Sequence, residues 1–530
     1  MRIQIKGGLV LDGTGAPGFA GDVVVKDGTV ISVGGQTDGA FDRTVDARGL
    51  AVCPGFIDTH SHSDLAMLTD PRVLPKIMQG ITTEVLGQDG ISMAPLPEQN
   101  IADWRKNLAG LDGDSDAIDW HYKTTAGYFE QLEQGGMGTN AAYLVPHGNV
   151  RMEAMGLANR LASPAELGKM KAILRRELET GAVGLSTGLI YIPCAYGDTN
   201  ELIELCKVVA EYDGVFVVHQ RSEAGRVLPS MEEILEVGRR SGVRVHFSHF
   251  KICGKKNWQY LDGALALLDA VKKEGIRVSF DQYPYAAGST MLGVILPPWA
   301  HDGGTGNLLK RLADAPTRKK LKAEILAEGA DWDNFVEFAG LDGIYITSVR
   351  TEANRTAVGK NLMELGEMRH TSPLDATFDL LIEENNAVGM IDYYGREEDI
   401  MAILARPEQN VCTDGLLGGK PHPRVYGAFP RVLSRYVREK KLLTLEQAVC
   451  KMTGKPAQVF GFTDRGALKA GNAADIVLFD PRTVRDTGTF AEPAQFPEGI
   501  RMVLVNGEIV VENGAHTGIL AGKLLKAKRG

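Results

Sequence analysis

The two ends of the chain share a texture that the middle lacks. Residues 1–50 run as short alternations of apolar and polar positions broken by glycine: IQIKGGLVLDG from Ile3, then DVVVKDGTVISVG with Asp27-Gly28 inside it. Residues 466–515 repeat the texture in AADIVLFDP and RMVLVNGEIVVENG, where Asn506-Gly507 separates two apolar runs. Period-two alternation marks half-buried strands, and Asp-Gly or Asn-Gly between two such runs is a strong hairpin signal. Neither end has enough strands for a stable sheet by itself. Both are therefore expected to pack into one small β-sandwich domain, built from 1–55 and 466–530.

The middle reads differently. Short apolar runs predict strands at 50–57, 82–86, 141–145, 182–185, 215–218, 243–247, 277–280 and 410–412. Helical periodicity falls between them, at 165–179, 200–212, 231–241 and 264–274. Such alternation means βαβ units on a parallel sheet, and eight of them predict an α/β fold with a (β/α)8 TIM-like barrel over 56–465. A ninth strand-like run, 387–393, lies in a stretch of about 285–405 that exceeds a normal connection. That stretch is read as an insertion before the last barrel strand, with structure of its own, placed to serve as a lid over the barrel mouth.

Composition narrows the classes of partner. The chain has 530 residues and a net charge of −9, which argues against a nucleic-acid or anionic-membrane surface. The basic run 523–529 reads as a solvated tail. No apolar run is long enough to span a membrane, and the N-terminus enters a strand pattern directly. Cysteines 53, 194, 206, 253, 412 and 450 are scattered without a CxxC pair, as expected of reduced thiols in a cytoplasmic protein.

In a barrel the chemistry lies at the C-terminal ends of the strands. There the first run ends in PGFIDTHSHSD, giving His60, His62 and Asp64; residues i and i+2 share a side, so the two imidazoles converge. The fifth run ends at His219, the sixth at His249 followed by Lys251, and the eighth at Asp414. Four histidines and an aspartate at strand ends point to a bound metal, since zinc takes N, S and O donors.

These residues, with GITTEVLGQDGISMAP, GAVGLSTGLIYIP, HQRSE, SHFKICGKKNW, DQYPYAAGST and TDGLLGGKPHPRVYGAFPRVL, resemble the N-acyl-D-amino-acid deacylases of the amidohydrolase superfamily along nearly the whole chain. The resemblance implies hydrolysis of an N-acyl-D-amino acid to a D-amino acid and a carboxylate. It implies a zinc held tightly by His219, His249 and a ligand after the second strand, and a weaker second site at His60 and His62. Asp414 is implied as the residue that takes a proton from the attacking water and returns it to the leaving amine. Lys251, Tyr283, Ser289 and Arg424 are implied to grip the free carboxylate of the substrate.

One position departs from the family. Where Gly-x-Cys-Gly supplies a thiolate ligand, this chain has Gly87-Gln88-Asp89-Gly90, with Asp89 in the cysteine's place. A carboxylate is harder than a thiolate and lessens the preference for zinc over Mn2+ or Co2+. Glu84, inside the strand, is a poorer candidate, and GLSTGLIY offers no lysine to carboxylate. His147 in PHGNVR is placed near the barrel mouth, to hydrogen-bond near the metal. Histidines 121, 246, 301, 370, 422 and 516 read as structural, with His246 on the face of its strand opposite His249. Cys194 reads as lining and not as a nucleophile. Rival readings are the same scaffold acting on a dipeptide, cyclic amide or carbamoyl compound, and a non-catalytic binding protein.

Overall fold

The computed structural model describes residues 1–35 and 39–528. Eight parallel strands form the barrel: β1 (Phe56–Asp58), β2 (Ile81–Leu86), β3 (Asn140–Pro146), β4 (Gly184–Gly188), β5 (Val215–His219), β6 (Arg244–Phe247), β7 (Val278–Gln282) and β8 (Gln409–Val411). They are hydrogen-bonded in that order, with β8 beside β7. Helices cover the outer face, so β2, β3, β4 and β5 are buried at every position, which is why none of them shows the apolar–polar alternation of the chain ends. No helix among the described residues is long and apolar enough to cross a membrane.

The expected first strand, 50–57, is two strands. Ala51–Pro54 belongs to the sheet of the chain ends and Phe56–Asp58 to the barrel. Gly55 makes the passage between them, because a Cβ there would lie 2.1 Å from Thr82 Oγ1. The two ends share one nine-stranded sheet in which Ile476–Phe479 pairs antiparallel with Ala51–Pro54. The sheet curls back on itself: Val30 N–H donates to Asn472 O at 2.9 Å, and Arg43 pairs with Glu512. Its inner face buries Ile3, Ile5, Val23 and Val25 with Ile476, Leu478 and Leu504.

The ninth run is also accounted for. Gly389–Tyr393 is the central strand of an antiparallel sheet with Ala287–Met291 and Ile344–Ser348, outside the barrel. Helices Thr305–Ala313, Ala315–Ile325 and Pro373–Glu383 pack on it through a core of their own that includes Leu308, Leu321 and Phe378.

Two expectations fail here. The basic tail is not merely solvated. Its described part straps the barrel floor, with Leu525 N–H donating to Ala141 O and Ala527 N–H to Gly181 O, both at 2.8 Å. Leu525 and Ala527 pack against Val85, Leu144, Val217 and Phe460, while Lys523, Lys526 and Lys528 are exposed; Arg529 lies outside the described residues. His246 does not face away from the site. Strand β6 ends at Phe247 and His249 takes a left-handed φ of 36°, so strand parity is lost between the two histidines. His246 Nε2 lies 3.0 Å from Asp281 Oδ2, which also accepts from Thr59 Oγ1 at 2.9 Å, and Asp281 Oδ1 accepts from the His249 N–H.

The seam between β1 and β8 is closed by side chains. Thr413 N–H donates to Asp58 Oδ1 at 2.8 Å, and the fully buried Lys76 Nζ donates to Asp58 Oδ2, Ser61 Oγ and Thr413 Oγ1 at 2.9, 2.8 and 2.6 Å. Above this knot the short parallel pair Gly415–Leu416 and Ser61–His62 completes the rim.

Replacing Lys76 by methionine keeps the bulk but strands two buried carboxylates, Asp58 and Glu84. Lys76→Met is expected to lower stability by about 3–5 kcal/mol, read as a fall in the urea midpoint. Asp281 supplies a pH-dependent strut. Burial pushes its carboxyl up, but the hydrogen bond and charge of His246 and the charge of His60 win and hold it at about 2. Its stabilisation, about 2 kcal/mol, is therefore full above roughly pH 4 and is lost as pH falls through 2. Acid unfolding followed by circular dichroism should show a shallower slope in that window for Asp281→Asn than for the unmodified protein.

Candidate metal centre and active site

Five strand ends send ligand-type side chains to one point. His60 and His62 follow β1, Asp89 follows β2, His219 ends β5, His249 follows β6 and Asp414 follows β8. Asp89, His249 and Asp414 all have left-handed backbones, with φ of 55°, 36° and 47°. Such conformations cost energy in non-glycine residues. Each turns a side chain inward just where the strand's alternation stops. Gly87 and Gly90, at φ of 75° and 71°, flank Asp89; a Cβ on Gly90 would sit 2.6 Å from Cys194 Sγ, so Cys194 is packing for this turn. Asp64 braces the same turn by accepting from Gly87 N–H and Ser92 Oγ, at 2.9 and 2.5 Å.

The distances form a chain across the mouth. His60 Nε2 and His62 Nε2 are 3.3 Å apart, and His219 Nδ1 is 2.9 Å from His249 Nε2. Asp89 lies between the two pairs, 3.6 Å from His60 and His249 through Oδ1 and 3.6 Å from His62 through Oδ2. Asp414 Oδ1 is 3.6 Å from His60 Nε2 and 3.5 Å from His62 Nε2. All of these residues are buried. Burial opposes the charge of Asp89, yet the facing histidines hold its carboxyl well below the usual range. The Asp414 carboxyl, also opposed by burial, is held low by Arg424, His60 and His249. Burial pushes His219 down to about 4, so its imidazole is neutral.

This donor set fits a divalent metal. Imidazole nitrogens facing each other at about 3 Å, and the buried Asp89 Oδ1, which lacks a hydrogen-bond partner among the described residues, are satisfied together by a shared cation. The outer nitrogens have carboxylate neighbours of the kind that orient metal-bound histidines: His62 Nδ1 lies 3.1 Å from Asp112 Oδ1, and His249 Nδ1 lies 3.2 Å from Glu223 Oε1, with Lys251 Nζ 2.8 Å away. The sequence reading missed both acids. Glu223 stood within HQRSE, four residues after His219, whereas Asp112 lies in an acidic loop without a pattern to mark it. Glu84 accepts from Ser61, Ser63 and Thr139 hydroxyls and stays out of the cluster.

Beside the cluster lie two cations and two hydroxyl carriers. Lys251 Nζ is 2.7 Å from Glu223 Oε2. Arg424 Nη1 is 2.9 Å from Asp414 Oδ2 without the alignment of a hydrogen bond, and its Nε has no acceptor. Arg424 Nη2 donates to Ser289 O at 2.9 Å, and its guanidinium sits 4.3 Å from the Tyr283 ring centre. Tyr394 OH donates to Tyr283 OH at 3.0 Å, leaving the Tyr283 proton to donate elsewhere. His147 stands apart: its nitrogens are taken by Thr187 Oγ1 at 2.9 Å and Glu201 Oε1 at 2.8 Å, bracing the ends of β3 and β4.

The insertion covers the mouth. Asp333 accepts from Ser222 Oγ and Glu223 N–H at 2.5 and 2.7 Å, and Ser289, Phe335, Phe338 and Asp392 complete the wall. The space at the cluster is about 30 Å³, and it adjoins a roomier pocket of about 360 Å³ through Tyr191, Asp333 and Phe335. His62, His219, His249, Asp89 and Asp414 line the smaller space, so the chemistry belongs there.

Known proteins give this arrangement its context. The Amidohydrolase family model matches residues 43–511. D-aminoacylase of Alcaligenes xylosoxydans xylosoxydans is 34% identical over 524 residues, covering 99% of this chain and 97% of the relative. N-acyl-D-glutamate deacylase of the same organism is 36% identical over 510 residues, covering 96% and 93%. Among solved structures, N-acyl-D-glutamate deacylase from Bordetella bronchiseptica, complexed with zinc and a phosphonate mimic of the tetrahedral intermediate, superposes with a TM-score of 0.84 at 35% identity, covering 99% of both chains. With so much of its length matched, this chain belongs to the amidohydrolase family.

Proposed function

We propose that the chain hydrolyses the amide bond of N-acyl-D-amino acids, releasing a D-amino acid and a carboxylate. One observation carries the reading: a buried, ionised Asp414 faces a metal-type histidine cluster on one side and a lysine–arginine pair with Tyr283 on the other. The D configuration comes from the similarity to D-aminoacylase and N-acyl-D-glutamate deacylase.

His219, His249 and Asp89 are assigned the tighter metal site and His60 with His62 a weaker one, for zinc, with Mn2+ or Co2+ accepted because Asp89 is a hard donor. When bound, the metal polarises the scissile carbonyl and makes a water nucleophilic near neutral pH. Asp414 takes the proton of the attacking water and later delivers it to the leaving nitrogen. Its low proton affinity keeps it ionised before attack, and Arg424 holds its outer oxygen so that Oδ1 faces the histidines. Lys251, the Tyr283 hydroxyl, Ser289 and the unengaged Arg424 N–H groups grip the free carboxylate and fix the carbonyl at the cluster. Six free thiols, five of them buried, favour a cytoplasmic setting.

The test is hydrolysis of matched N-acetyl-D and N-acetyl-L amino acids by metal-stripped and zinc-reconstituted protein. Release is expected from the D series alone and only with metal. Asp414→Asn should lower kcat by about 100- to 10,000-fold at unchanged metal content. No release from any member by the zinc-loaded protein would sink the deacylase reading and move the search to dipeptides and cyclic amides. Asp89→Cys should shift metal competition towards zinc over Mn2+, measured as bound-metal ratio after equilibration with both ions; an unchanged ratio would remove Asp89 from the ligand set.

A further inference from the structure

The active-site cavity contains a carboxyl that neither the metal cluster nor the carboxylate grip uses. Asp392 lies on the strand Gly389–Tyr393 of the insertion and lines the cavity beside Lys251, Tyr283 and Ser289. It is 3% exposed. The other acids on that wall are engaged: Asp414 with Arg424, Glu223 with Lys251, Asp333 with Ser222 and the Glu223 N–H, and Asp89 with the histidines. The Asp392 carboxyl makes no ion pair, and its hydrogen bonding among the described residues is confined to its own backbone N–H.

Its position is set by the backbone. Gly288 faces Asp392 across the ladder, and a Cβ at Gly288 would lie 2.7 Å from Asp392 Oδ1. Burial pushes this carboxyl up to about 7 despite the pull of Lys251 and Arg424, neither of which reaches ion-pair distance. Of the charged groups lining the cavity, five are acids and one is a lysine, with Arg424 just behind. The carboxylate grip consumes both cations, so none is left for a second carboxylate on the substrate.

Buried polar groups are nearly always hydrogen-bonded, and one left open on a cavity wall marks where a ligand group sits. We infer that Asp392 is a specificity-determining residue that bars acidic side chains, so that the substrates are N-acyl derivatives of neutral D-amino acids and not of D-aspartate or D-glutamate. The inference rests on the deacylase reading. Above pH 7, where Asp392 is ionised, a second carboxylate beside it meets a like charge. An amide finds an acceptor there, and an apolar side chain finds Phe335, Phe338 and Leu416 lining the same cavity.

The experiment compares kcat/KM at about pH 8.5, where Asp392 is ionised, for two near-isosteric pairs, N-acetyl-D-glutamate with N-acetyl-D-glutamine and N-acetyl-D-aspartate with N-acetyl-D-asparagine, on zinc-loaded protein. Like-charge juxtaposition costs several kcal/mol, so the amide member is expected to win by at least about 100-fold. Asp392→Asn should then gain at least about tenfold on the acidic members, a gain that misfolding cannot produce. Asp392→Ser is the second variant should the first not accumulate as folded protein. A ratio near one, a preference for the acid, or no gain in a folded, metal-bearing variant overturns the inference. N-acetyl-D-methionine separates the two levels. Its hydrolysis alongside equal use of the paired substrates overturns the role of Asp392 alone, whereas no release from any substrate overturns the deacylase reading and this inference together.

Discussion

A lysine buried between the first and last strands makes the rest of this architecture workable. A parallel barrel has to close on itself, yet β1 has three residues and β8 has three, too few for a long ladder. Lys76 supplies what the backbone does not, tying Asp58 of β1 to Thr413 just beyond β8. Its charge is justified only by the partners around it, since an unpaired ammonium in such a place is strongly disfavoured. Those partners also settle where Thr413 sits, and with it the next residue, Asp414, whose N–H donates to His60 O at 2.9 Å. One ion pair below the mouth thus sets the spacing between the proton-carrying acid and the first two histidines.

The cluster above the seam is built from strained backbone and from nitrogen donors that face one another. Three of its members occupy backbone conformations that side chains avoid, and two pairs of imidazoles face each other. Such an arrangement survives because supports surround it on every side: Asp281 under His249, Asp112 beside His62, Glu223 between His249 and Lys251. A cation would give the facing imidazole nitrogens and Asp89 a common partner. The preorganisation that catalysis demands is therefore located in the second row of acids as much as in the ligands themselves.

Much of this was legible in the chain. The eight apolar runs, the glycine-punctuated ends and the strand-end histidines carry local signals, because parallel strands are buried on both faces and hairpins need Asp-Gly or Asn-Gly. What escaped was whatever depends on partners distant in sequence. Asp112, Asp281 and Asp392 become informative only when His62, His246 and Gly288 are folded against them. Parity misled at His246 because it assumes an unbroken strand, and composition misled at the tail because Leu525 and Ala527 hide among lysines. His147, at the end of a predicted strand, has both nitrogens committed to structural partners that the sequence could not have named.

The sheet shared by the two ends also governs the order in which the molecule can be assembled. Ala51–Pro54 leaves the ribosome early, but its neighbour Ile476–Phe479 is more than 400 residues away. At roughly 5–20 residues per second that gap is on the order of a minute of synthesis. Throughout it the early strands expose unpaired edges, and the barrel floor lacks both Phe460 and the strap at Leu525. Contacts this distant in sequence make for slow folding. Closure of this sheet and of the barrel floor thus waits on Ile476–Phe479, Phe460 and Leu525, and the strands made early stay open until those residues arrive.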